Sequence, residues 1–167
     1  MKESLPKKPA RLPDLLNQDT IELDLEVADW REGVRLAGQI LLRAGSITPP
    51  YIEAMIKVVE ELGPYMVVDV GVALAHARPE DGVKRPCMSL VRLATPVEFG
   101  SRENDPVDLI FAFGAVDKEA HLEALRDLAT FLQDKEAVTA LRRCRSTREA
   151  AEIIGKHAHK GVAKNER

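Results

Sequence analysis

The segment Val107 to Ala115, VDLIFAFGA, constrains the fold of this 167-residue chain more than any other. After Asp108 it is apolar almost throughout, which suits a strand covered on both faces, and such a strand requires a layer of helices on either side of its sheet. The apolar stretch from Leu109 to Val116 is only eight residues long and falls far short of a membrane span. The basic N-terminus (Lys2, Lys7, Lys8, Arg11) leads into no apolar stretch of the kind a signal peptide carries. A cytoplasmic location is therefore expected.

With 45% apolar and 31% charged residues, the chain has the makings of one globular domain, and disorder or a collagen-like repeat is excluded. The formal charge is −3, and only four Phe, two Tyr and one Trp are present. Neither a basic field nor a stacking platform for nucleic acid results. Cys87 and Cys144 lack CxxC spacing and a neighbouring Cys/His cluster, so they read as free thiols, with no disulfide framework or zinc site.

Along the chain, residues 1–20 carry Pro6, Pro9 and Pro13 among mixed charges and read as an N-terminal arm, although Leu12, Leu15 and Leu16 could dock. Ile21, Leu23, Leu25 and Val27 alternate with acidic residues, as in an edge strand. Asp29 and Glu32 form a D-x-x-E variant of the capping box before a helix that Gly45 ends. Thr48 and Pro49 open a second helix, with Tyr51, Met55, Val58 or Val59 and Leu62 on one face, up to Gly63-Pro64. Strands are expected at Tyr65 to Val68, Val72 to Ala75, Met88 to Leu93 and Val107 to Ala115. Helices follow over about Asp117 to Leu132, Lys135 to Arg142 and Ser146 to His157. The order describes a single α/β domain over 21–157, with a flexible tail at 158–167.

Two of the four histidines, His157 and His159, sit in the Lys-rich C-terminal segment and read as a fraying helix end without chemistry. His76 closes a strand whose face also carries Val72 and Leu74, and the chain then turns through Arg78, Pro79 and Gly82. Open α/β sheets form ligand crevices at such strand ends, although a histidine there is commonly just a surface residue. His121 stands in the first turn of the helix opened by Asp117, where unpaired amides favour anions. If the strands at Val72 to Ala75 and Val107 to Ala115 run parallel, both imidazoles leave the sheet at the same edge.

Several ordered segments then carry a resemblance. They are Tyr51 to Met55, Glu61 to Tyr65, GVALAHARPEDGVK (Gly71 to Lys84), TPVEFG (Thr95 to Gly100), NDPVDLIFAFGAVDKEAHLEAL (Asn104 to Leu125) and LRRCRSTREA (Leu141 to Ala150). Together they resemble the EIIA component of the bacterial sugar phosphotransferase system, in its mannitol/fructose-like class. The GPY, HARPEDGVK and NDPVD segments are most similar to ascorbate-type members. The resemblance runs over roughly Asp29 to Lys156.

It implies a three-layer α/β/α sandwich with a mixed central sheet, and a phosphoryl relay. The histidine of the family's P-H-A/G motif, which falls on His76, would take a phosphoryl group from phospho-HPr. It would pass the group to a cysteine of an EIIB component, which serves a membrane EIIC. The histidine of the D-x-x-x-H segment falls on His121 and would support the phosphorylated ring. Arg78 and the helix N-terminus at His121 are further candidate phosphate donors, within a shallow apolar rim where Glu80, Asp81, Lys84 and Arg85 would steer encounter.

No cofactor, nucleotide or metal is implied, in keeping with the absence of a P-loop motif. Two departures stand out: Ala75 replaces the usual proline before the active histidine, and Glu60 stands where mannitol-class members place an arginine. The first leaves a second reading, a regulatory EIIA-like protein whose phosphorylation state is a signal without a transporter partner.

Overall fold

The apolar run becomes β5 (Val107–Gly114), and it lies at the centre of a five-stranded sheet. The computed structural model describes residues 11–165 of the chain, with side chains over 11–158. The sheet order is β1-β4-β5-β3-β2, with β1 at Ile21–Leu25, β2 at Val67–Asp69, β3 at Val72–Ala75 and β4 at Cys87–Val97. Strand β5 runs antiparallel to β4 and parallel to β3, while β1 is parallel to β4 and β2 antiparallel to β3. The sheet is thus mixed, as the resemblance implied.

Both faces of β5 are covered. Ile110 and Ala112 join the core under helices α2 (Trp30–Arg43) and α3 (Pro49–Leu62). Leu109, Phe111 and Phe113 join the opposite core with α1 (Leu12–Leu15), α4 (Lys118–Gln133), α5 (Lys135–Arg143) and α6 (Thr147–Asn165). Strand alternation sends neighbouring residues to opposite faces, so one segment serves both cores. Helix α2 lies close on the sheet because Gly33 faces it: a Cβ there would come within 2.5 Å of Ile110 Cδ1.

Local signals explain most element ends. The Asp29 carboxylate accepts the Glu32 N–H at 3.0 Å, and the Glu32 side chain accepts from Ala28 rather than from Asp29 itself. Thr48 does not cap α3 with its side chain; the hydroxyl instead donates to the Gly82 carbonyl at 3.3 Å. The expected strand from Tyr65 starts later, since Pro64–Met66 forms a 3₁₀ turn and only Val67–Asp69 pairs. Leu12 and Leu16 are buried against the α4–α6 layer. Residues 1–10 lie outside the described part. Helix α6 continues to Asn165, beyond the end expected near His157, and the His159 side chain lies outside the described residues.

Candidate functional site

The parallel pairing of β3 with β5 sets the site. Ala75 lies opposite Ala112, so the chain beyond each strand emerges at the same edge of the sheet. His76 is the next residue after β3, and α4 begins four residues after Gly114, bringing His121 over the same edge. The two imidazole centroids are 5.4 Å apart, inclined at 64°. Between them and the core lies Phe113, whose ring centroid is 5.0 Å from each. Phe113 was not singled out from sequence, where it is one more apolar residue of a buried strand.

The ring of His76 is oriented by its own strand. Nδ1 lies 3.3 Å from the Leu74 carbonyl, which can only accept, so Nδ1 carries the proton and Nε2 keeps its lone pair. Burial lowers the pKa of His76, helped by the adjacent His121, against a smaller opposing effect of the Leu74 hydrogen bond. Burial also lowers the pKa of His121. Both rings are neutral at neutral pH.

Tyr51 of α3 fixes the backbone around this pair. Its hydroxyl donates to the Phe113 carbonyl at 2.8 Å and accepts the Ala77 N–H at 2.9 Å, tying the residue after His76 to the end of β5. Burial pushes its phenol pKa upward, so the hydroxyl remains a donor. Tyr51→Phe leaves the Ala77 N–H and the Phe113 carbonyl to lose this partner in a buried setting. A destabilisation of about 2 kcal/mol is expected by urea unfolding; a variant as stable as the parent removes this role.

His76 and His121 open onto a cleft of about 520 Å³ whose wall includes Val58, Leu62, Arg78, Lys118 and Leu122. Leu62, expected on the buried face of its helix, is 64% exposed, and Leu122 is 54% exposed. The apolar rim is therefore built from the end of α3 and the start of α4. Arg78 lies at this wall but is engaged with carboxylates, 3.4 Å from Asp81 and 3.7 Å from Glu80. Arg85 turns away to the end of α2, where it donates to Ser46 Oγ and the Ala44 carbonyl. Lys118 was missed from sequence, where a lysine at a helix start looks like any solvated charge.

The other candidates are accounted for by packing. Glu60 pairs with Arg31 at 3.0 Å. His157 lies 3.1 Å from Asp134 and edge-on to Phe131. Both cysteines are free and buried; burial raises the thiol pKa of Cys87 to about 12 and also pushes that of Cys144 up, so both stay protonated. The cis Asp105–Pro106 peptide lies in the NDPVD segment, where the Asp105 carboxylate collects the N–H groups of Phe99, Gly100 and Ser101. No helix among the described residues is long and apolar enough to cross a membrane.

Residues 14–157 match the family described as "Phosphoenolpyruvate-dependent sugar phosphotransferase system, EIIA 2". The chain belongs to that family. Among its EIIA relatives, the ascorbate-specific PTS system EIIA component of Escherichia coli (strain K12) is 37% identical over 141 residues, 84% of this chain and 92% of the relative. The solution structure of the mannitol-specific cryptic phosphotransferase enzyme IIA CmtB from Escherichia coli superposes with a TM-score of 0.79 at 31% identity, covering 88% of this chain and 99% of that one. The IIA chain in a complex of enzyme IIAMTL with phosphorylated enzyme IIBMTL from Escherichia coli gives 0.75 at 26% identity, covering 84% and 97%. Membership in this EIIA family gives the chain a phosphocarrier role in the phosphotransferase system.

Proposed function

We propose that this EIIA accepts a phosphoryl group from phospho-HPr on Nε2 of His76 and passes it to a cysteine of an EIIB component. The observation that carries the proposal is the pair of imidazoles with centroids 5.4 Å apart in an open cleft. Nδ1 of His76 is occupied by the Leu74 carbonyl, which leaves Nε2 as the nucleophile. In the first step the donor P–N bond breaks, a P–Nε2 bond forms, and the donor imidazole takes back its electron pair. In the second step a thiolate forms P–S as P–Nε2 breaks, and His76 returns neutral with its Nδ1 proton. Each transfer exchanges one activated bond for another, so positioning counts for more than proton chemistry.

His121 donates a hydrogen bond to a phosphoryl oxygen, and the exposed Leu62 and Leu122 supply the surface on which both partners dock. The likeness to ascorbate-specific EIIA relatives favours ascorbate or a related carbohydrate as the cargo of the membrane EIIC component, with this chain in the cytoplasm. Purified chain incubated with phosphoenolpyruvate, Enzyme I and HPr is expected to gain one acid-labile phosphoryl group and to surrender it to an EIIB. No labelling overturns the proposal. Labelling that no EIIB can discharge favours the regulatory reading instead.

A separate consequence concerns His121. His121→Ala is expected to slow acceptance and delivery by roughly tenfold each, as loss of one donor to a charged group would. Stopped-flow or quench-flow transfer assays measure this, and unchanged rates in both directions exclude the role.

A further inference from the structure

A phosphoryl group on His76 brings a dianion to a cleft whose charges are already largely spoken for. Arg78 faces Asp81 and Glu80, and its side chain is 75% exposed. The start of α4 is capped by Asp117, whose carboxylate accepts the Ala120 N–H at 2.8 Å. Glu119 adds a second acidic group in that turn. Both imidazoles are neutral, since burial lowers their pKa values.

Lys118 is different. It is the first residue of α4, and its side chain lines the same cleft as His76 and His121. Among the described residues its ammonium has neither an ion-pair nor a hydrogen-bond partner. A cation is electrostatically misplaced at a helix N-terminus, where the macrodipole favours negative charge. An anion held in the cleft would reverse that penalty, because the ammonium and the helix start would then face the same negative group.

We infer that Lys118 is the phosphoryl-binding cation of this site: its Nζ contacts the equatorial oxygens once His76 is phosphorylated. The inference rests on the relay proposed above. Lysine suits the task as a compact point charge on a flexible stem, able to follow the phosphoryl group between incoming and outgoing partners.

The test compares the parent with Lys118→Met and Lys118→Arg. Phospho-HPr is the donor, and the phosphoprotein is followed by quench-flow and by ³¹P NMR across pH. Lys118→Met is expected to accept the group roughly tenfold more slowly, and its phosphoryl resonance to titrate at higher pH because the stabilising charge is gone. Lys118→Arg keeps the charge and is expected to retain both properties. Unchanged transfer and titration in Lys118→Met overturn the inference while leaving the relay standing. Slower transfer with an unshifted phosphoryl titration also overturns it, since Lys118 then serves partner docking. If the parent itself takes no label, the relay fails and this inference with it.

Discussion

His76→Ala is expected to remove the acid-labile label entirely under conditions that saturate the parent protein. Geometry supplies the reason. His76 is the ring whose Nδ1 is held by a backbone carbonyl, at 3.3 Å, which leaves Nε2 as the nucleophile of the proposed relay. His121 shares the cleft, but among the described residues no hydrogen bond orients its ring. Removal of the activated nucleophile costs the covalent intermediate itself and not merely some part of its rate. Mass spectrometry of intact protein after incubation with the donor system gives the measurement, with circular dichroism to confirm folding. His76→Gln, closer in size and polar, should be equally unlabelled. A phosphoryl group found on His121 in either variant, or label at the parental level, would exclude His76 as the acceptor.

The largest stability effect is expected far from the cleft, at Arg92. Its Nη1 donates to the carbonyls of Leu141 and Cys144 at 3.0 and 2.7 Å, at the end of α5, and its Nη2 reaches Asp24 at 2.9 Å. The guanidinium is almost buried, whereas the Asp24 carboxylate is 68% exposed, so the ion pair itself contributes little. The carbonyls matter more. They lie at a helix C-terminus, where carbonyls lack intrahelical donors and the dipole favours a cation; Leu141 has the Cys144 thiol as a second, weaker donor at 3.2 Å. Arg92→Met keeps most of the volume and strips those acceptors of their donor. A loss of about 3 kcal/mol is expected, lowering the melting temperature by about 9 °C for a domain of this size. Scanning calorimetry on the apo protein tests it, and an unchanged transition would show that the carbonyls are satisfied without Arg92.

Arg92 also shows where sequence reasoning stops. Within Met88 to Leu93 an arginine reads as a solvent-facing strand position, and nothing local announces that α5 ends above it. Tyr51 and Phe113 belong to the same kind: their roles depend on a crossing of α3 with β5 that no spacing encodes. Leu62 misled for a different reason. Its helical period matches the buried face, but at the end of α3 this leucine lines the open cleft and stays 64% exposed.

The legible parts were those where one local signal is sufficient. The apolar run of β5 implied two covering layers, and both exist. Asp29 and Asp117 marked helix starts by carboxylates that accept N–H groups three residues on. The meeting of His76 and His121 followed from a single conditional, that β3 and β5 run parallel, and the register satisfies it. Arg78 was legible as a nearby cation but not as one tethered by Asp81.

One opening serves the two imidazoles, framed by the end of α3 and the start of α4. Under the relay proposed here, loading and unloading must then happen through the same doorway, and never at once. A visitor that lingers blocks the next, so throughput depends on brief associations, and surplus of either partner becomes an obstacle to the other.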